Sequence, residues 1–106
     1  MKVERLIATL DAIKANDQND DTKLVWLNEV EGRVACEIQK KKAGEFTPLV
    51  SGNDDLTVTE PYSRIYVLYL VAMIAFAEGN YDLYNKTMYE YESAFSEYAR
   101  YVIRNR

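Results

Sequence analysis

The chain contains no histidine, one cysteine, four glycines and two prolines among its 106 residues. Without histidine it lacks the commonest general base and metal ligand, and a single cysteine forms no internal disulfide. That cysteine, Cys36, is expected to be a small half-buried residue within a helix. The scarcity of glycine and proline favours long regular elements over a turn-rich β fold. These absences predict a small helical protein that is not an enzyme.

Acidic residues outnumber basic ones by seventeen to thirteen, which gives a net charge of -4. Attraction to phosphate needs clustered lysine and arginine, so we expect no sequence-specific nucleic-acid binding. The longest apolar run covers residues 65–77, whereas a membrane span needs roughly 18 residues or more. The acidic residues Glu4 and Asp11 argue against a secretory signal. We therefore expect a cytoplasmic protein with no membrane partner.

Apolar periodicity predicts an all-α fold of four helices in one domain, at about residues 2–15, 21–41, 61–79 and 81–105. Asp20 or Asp21 is expected to cap the second helix. The third helix, with Pro61 at its first position, is apolar nearly all round and should be the most enclosed. Gly79 is expected to end it in the left-handed conformation. The turn that follows is short, so helices three and four should pack antiparallel.

The fourth helix repeats apolar residues in steps of three and four, which is the pattern of a core-facing seam. The predicted seam comprises Tyr81, Tyr84, Met88, Tyr91, Phe95, Tyr98 and Val102. Tyr89, Tyr101 and Ile103 fall outside it and should leave apolar surface exposed. Because aromatic residues anchor interfaces, this surplus indicates a protein–protein contact surface. Harmless scattered exposure is the alternative interpretation.

Residues 43–60 break the helical period and are longer than the usual connection between helices. The apolar pairs Leu49–Val50 and Leu56–Val58 flank a Ser-Gly-Asn-Asp-Asp stretch. The segment is therefore predicted to be a long loop or a short β-hairpin. An isolated hairpin is marginal in water, so a hairpin here would need support from the bundle or from another subunit.

Asp17, Asn19 and Asp21 match the first, third and fifth positions of a calcium-binding loop. The sixth position needs glycine and is Thr22, while the twelfth needs glutamate and is Asn28. A polar loop with a helix cap is therefore the better interpretation. No other motif supplies a nucleophile with its base or a glycine-rich phosphate loop, so we predict no catalytic, cofactor-binding or metal-binding residues.

The second half of the chain combines three features. They are Pro61-Tyr62-Ser63-Arg64-Ile65-Tyr66 followed by Tyr69-Leu70, the acidic turn Glu78-Gly79-Asn80-Tyr81-Asp82, and, after Tyr84-Asn85, an aromatic C-terminal helix with Phe95, Tyr98, Ala99 and Tyr101. In these features residues 56–106 resemble small head–tail connector proteins from the necks of bacteriophages and prophages. The first half agrees in outline, with a short helix, a second helix containing Trp26, and a long loop.

The resemblance implies a structural adaptor with no catalytic residues. Such a protein assembles as a homo-oligomeric ring under the portal protein, extends the DNA channel and receives the next neck or tail component. It would lie in the virion neck, after assembly in the host cytoplasm, or in the cytoplasm if the gene is a prophage remnant. The implied portal contact comprises Tyr101, Ile103, Arg104 and Arg106. The alternative is an all-helical regulatory or interaction module that binds one partner protein.

Overall fold

Four α-helices build the fold: α1 (Val3–Ile13), α2 (Asp20–Arg33), α3 (Arg64–Ala77) and α4 (Tyr81–Arg104). A computed structural model describes residues 1–106. One π-helical turn, Val34–Ile38, continues α2, and one 3₁₀ turn, Ala43–Glu45, lies in the connection to α3. The predicted all-α fold is confirmed.

Helix α3 occupies the centre of the molecule and packs most extensively against α4, then against α2 and α1. Its side chains Ile65, Tyr66, Leu70 and Ile74 are fully buried. Burying one such side chain stabilises the folded state by roughly 1.5–3 kcal/mol relative to leaving it exposed. The prediction that the third helix is the most enclosed is therefore confirmed. The stripe of α2 completes the core from the other side, through Leu27, Val30, Val34 and Ile38.

Two helix starts differ from the predicted ones. Asn19, not Asp20 or Asp21, caps α2: its backbone is extended and its side-chain oxygen accepts from the Thr22 N–H at 2.8 Å. The two aspartates lie inside the first turn, where they face the positive end of the helix dipole. Helix α3 begins three residues after Pro61. Residues 59–62 instead form a turn closed by the Tyr62 N–H and the Thr59 carbonyl, 3.0 Å apart.

The turn between α3 and α4 follows the prediction. Gly79 adopts a positive φ of 78°, and the Asn80 side chain caps α4 by accepting from the Leu83 N–H at 3.2 Å. Tyr62, before the start of α3, lies 5.5 Å from Tyr98 near the end of α4, measured between ring centroids. Phe76, at the end of α3, lies 5.2 Å from Tyr84 near the start of α4. The two helices therefore pack antiparallel.

Three side chains are more exposed than the sequence predicts. Tyr81 lies at the end of the predicted α4 seam, beyond the core, and contacts the Phe76 ring edge-on while remaining 58% exposed. Ile13 continues the apolar spacing of Leu6 and Leu10, which predicts a core-facing side chain, but it ends α1 beyond the core and is 65% exposed. Cys36 is exposed, because Ala35 and Ile38 occupy the buried side of the π-helical turn.

Residues 46–60 form a loop and not a hairpin. The Asn28 side chain holds Leu49 through both backbone groups, at 2.7 Å from its N–H and 3.0 Å from its carbonyl. Further along, the Val3 N–H donates to the Asp54 carbonyl and the Leu56 N–H to the Met1 carbonyl, at 3.0 and 2.9 Å. The chain's own first residues thus take the place of the second hairpin strand.

Candidate functional site

The four residues predicted to contact a partner all lie at the C-terminal end of α4, where they divide into two pairs. The Tyr101 ring stacks on Tyr62 with 4.8 Å between centroids, and the Arg106 guanidinium donates to the Ile38 carbonyl at 2.7 Å. These two side chains fix the end of α4 to the turn before α3 and to the π-helical turn that continues α2. Ile103 is 62% exposed, and Arg104 is exposed with no ion pair. The second pair is therefore the one without a stacking contact or a side-chain hydrogen bond within the chain, whereas Tyr101 is engaged on one side and 41% exposed.

Arg33 joins α2 to the middle of α4. Its two terminal nitrogens donate to the two Glu92 oxygens at 2.8 and 2.9 Å, and its guanidinium lies 4.0 Å from the centre of the Phe95 ring. The Arg33 Nε also donates to Glu37 at 2.9 Å. Burial alone would lower the pKa of Arg33, but the hydrogen bonds to Glu92 raise it above its usual value. The end of α4 therefore projects from a helix whose position is fixed.

A buried carboxylate fixes the long loop to the core. Glu31 is 5% exposed and accepts from the Thr57 N–H at 3.0 Å, from the Thr57 hydroxyl at 2.7 Å and from the Tyr66 hydroxyl. The Tyr66 hydroxyl also accepts from the Val58 N–H at 2.9 Å. Burial, reinforced by the charge of Glu31, raises the pKa of Tyr66. All these groups are used within the fold, so the cluster supports the structure and offers no open chemistry.

The largest depression is a groove of about 580 Å³ between α1 and α4, with α3 as its floor. Leu68 contributes to the apolar part of its lining. Its ionisable side chains are two cations, Arg64 and Lys86, and two carboxylates, Glu60 and Glu90. No ion pair joins any of them within the chain. An open groove with an apolar floor can accept the apolar face of a helix from another protein.

Comparison with family models, with curated proteins and with solved structures gives no match to this chain. None of the helices combines the length and the apolar character that crossing a bilayer requires. The structure brings no three His, Cys, Asp or Glu side chains together as a set of metal ligands. The candidate site is thus the exposed end of α4.

Sequence reasoning did not identify Glu31 or Arg33 as the residues that hold the loop and α4. One signal was available, because Glu31 follows Val30 directly and lies on the same face of α2 as Leu27 and Val34. A charged residue within an apolar helical stripe is buried only when it is paired. Arg33 carries no such signal, since it lies beside the stripe.

Proposed function

We propose that the chain is a structural connector that works through contact surfaces, of the kind that joins the head and tail of a bacteriophage. In this role it assembles as a ring under the portal protein, extends the DNA channel in the virion neck and receives the next component. The observation that carries the proposal is the end of α4. An exposed apolar side chain, Ile103, and an unpaired cation, Arg104, project there from a helix fixed by Tyr101 and Arg106.

The geometry supports contact over chemistry for a physical reason. Isolated exposed apolar side chains are ordinary, but an anchored aromatic beside an exposed aliphatic residue and an arginine has the composition of an interface centre. The backbone of this end is ordered before a partner arrives, which lowers the entropic cost of binding. The net charge of -4 also fits a DNA channel, because walls that attract phosphate would retard DNA.

The test partner is a purified bacteriophage portal protein, taken from the neighbouring genes where they encode one. The variant Ile103→Asp/Arg104→Glu is mixed with purified portal rings, and the number of chains bound per ring is measured by electron microscopy and sedimentation. We expect loss of binding with unchanged helicity by circular dichroism. Val25→Asp is the matched control, since Val25 is an aliphatic side chain of similar exposure, at 58%, that lies on α2 outside the predicted contact surface. Full binding by the double variant, or equal loss in the control, would contradict the proposal.

The groove between α1 and α4 favours the second candidate, an interaction module that binds one partner protein. Its apolar floor on α3 could accept one amphipathic helix. The two candidates differ in stoichiometry. A connector places many copies on one ring, whereas a module forms a complex of defined small size. Sedimentation of the chain with portal rings, and with any other bound protein, distinguishes them.

A further inference from the structure

Two groups of unpaired charges lie at opposite ends of the molecule. The acidic end consists of Asp17, Asp20, Asp21 and Asp82, and the basic end consists of Lys40, Lys41, Lys42 and Arg104. All eight side chains are exposed, and none forms an ion pair within the chain. The basic end also contains Arg106, which forms no ion pair, and one carboxylate, Glu45, which accepts from the Lys42 N–H at 3.3 Å. The two ends therefore carry opposite net charge.

Long-range contacts show that each set is one surface. At the acidic end, Lys14 pairs with Glu78 at 3.1 Å and Lys23 with Asp11 at 2.8 Å, which joins the end of α1 to the α3–α4 turn and to the start of α2. At the basic end, the bond from Arg106 to the Ile38 carbonyl joins the end of α4 to the segment before the three lysines. The 24 residues of α4 separate the ends by about 36 Å.

The helix dipoles do not explain this distribution. Each end of the bundle contains helix starts and helix ends together: α2 and α4 begin where α1 and α3 finish. Each helix dipole is equivalent to about half a charge at either terminus, and at each end of the bundle the positive and negative termini oppose one another. The dipoles therefore do not neutralise the like side-chain charges at that end. Like charges held together on one surface repel, and an opposite surface relieves this repulsion.

Each end also exposes apolar side chains among its charges. Ile13, Phe76 and Tyr81 are more than half exposed at the acidic end, and Ile103 is similarly exposed at the basic end. A surface that combines exposed apolar groups with charge of one sign complements a surface with apolar groups and charge of the other sign. Both surfaces are present on the same chain.

We infer that the acidic end of one copy binds the basic end of a second copy of this chain. The contact is head-to-tail, so a pair of copies leaves one acidic end and one basic end free, and further copies close a ring or extend an open stack. The inference goes beyond the proposed function. The contact between copies and the proposed contact with the portal would both use Arg104. A copy that binds another copy through its basic end therefore does not offer that end to a portal.

The test needs only the purified chain, so its failure leaves the proposed function standing. Equal amounts of ¹⁴N- and ¹⁵N-labelled chain are treated at low salt with a carbodiimide, which joins lysine directly to carboxylate. We expect mixed-isotope cross-links between Lys40–Lys42 and the carboxylates of the acidic end. One chain cannot form them internally, because Asp20 and Ile38 are separated by about 27 Å of helix. The absence of mixed-isotope cross-links between these ends would overturn the inference.

Charge-reversal variants sharpen the test. Lys40→Glu/Lys41→Glu/Lys42→Glu and Asp17→Lys/Asp21→Lys/Asp82→Lys each place like charges on both ends, so each alone should self-associate about tenfold more weakly than the parent chain in sedimentation velocity. An equal mixture of the two should restore association in sedimentation velocity, since the ends are again complementary. Failure of the mixture to associate would overturn the inference.

Two controls remain. Arg5→Glu changes an exposed cation near the start of α1, away from both ends, and should leave cross-linking unchanged. Asp17→Asn/Asp21→Asn/Asp82→Asn replaces the reversed set if circular dichroism shows that set to be unfolded, and it should weaken association less than full reversal. If instead the chain binds duplex DNA through the three lysines and shows no cross-links between copies, the basic end is a phosphate-binding surface and the inference is wrong.

Discussion

Removing one buried hydroxyl tests how the long loop is held. Tyr66→Phe leaves the ring in place but deletes the oxygen that accepts from Val58 and donates to Glu31. Both neighbours lie in the interior, with Val58 fully buried and Glu31 5% exposed. An unpaired buried group costs roughly 1–3 kcal/mol. Two such groups, partly offset by the more apolar phenyl ring, should lower the free energy of unfolding by about 2–3 kcal/mol.

The same helix provides a matched control. The Tyr69 hydroxyl donates to Glu29 at 2.7 Å, but Glu29 is exposed, so water replaces the lost bond. Tyr69→Phe should therefore cost less than about 1 kcal/mol. For a chain of this length the expected loss in Tyr66→Phe corresponds to a decrease in Tm of about 10 °C, against a few degrees in the control.

Urea unfolding followed by circular dichroism measures both variants. The denaturant dependence of the free energy should stay the same, because the surface exposed on unfolding is unchanged. Adding Glu31→Gln to each background gives a double-mutant cycle, and we expect coupling of about 1 kcal/mol or more between Tyr66 and Glu31 but not between Tyr69 and Glu31. Equal losses in the two phenylalanine variants, or no coupling, would refute the argument that this buried network holds the loop.

Two further substitutions examine charge. Arg33→Met removes the two hydrogen bonds to Glu92 and the contact with the Phe95 ring. Because the ion pair is partly exposed, we expect the free energy of unfolding in urea to fall by about 1 kcal/mol. Unchanged stability would contradict the inference that Arg33 fixes α4 to α2. Hydrogen bonds from Lys23 hold the pKa of Asp11 below its usual value, and backbone N–H groups of the loop do so for Asp54. The hydrogen bonds to these two aspartates therefore stabilise the folded chain fully above the ordinary aspartate pKa of about 3.9. This stabilisation is lost as the pH falls through the lower pKa values that the two groups have in the folded chain. Asp11→Asn/Asp54→Asn should flatten the fall in stability below about pH 4, and an unchanged slope would contradict these pairings.

The helices were predictable because their signals are local. The core stripes of α1 and α2 follow from apolar spacing alone, since every residue of a helix faces a direction fixed by its position. The errors cluster where a helix extends past the core. Ile13 and Tyr81 continue the apolar spacing but lie beyond any neighbour that could cover them. Periodicity predicts the direction of a side chain, whereas burial also requires another element opposite it.

The loop was not predictable in detail because its partners are distant in sequence. Asn28 holds Leu49 across 21 residues, and Glu31 holds Thr57 across 26. Both partners are polar residues of α2, and an isolated helix would place them in solvent. A local pattern of two short apolar segments around a turn therefore left a long loop or a hairpin open, whereas the structure pairs the loop with the N-terminal residues through a single bridge between Lys2 and Asp55.

The residues that hold the fold and those that we assign to binding are almost entirely separate. Glu31, Tyr66 and Arg33 are engaged with other parts of the same chain, whereas Ile103 and Arg104 contribute no hydrogen bond or ion pair between side chains. Substitutions in the first group should lower stability and leave association intact once the chain is folded. Substitutions in the second group should abolish association at unchanged Tm. A variant of Ile103 or Arg104 that unfolds the chain would show that the end of α4 belongs to the core, and both assignments of that surface would then fail.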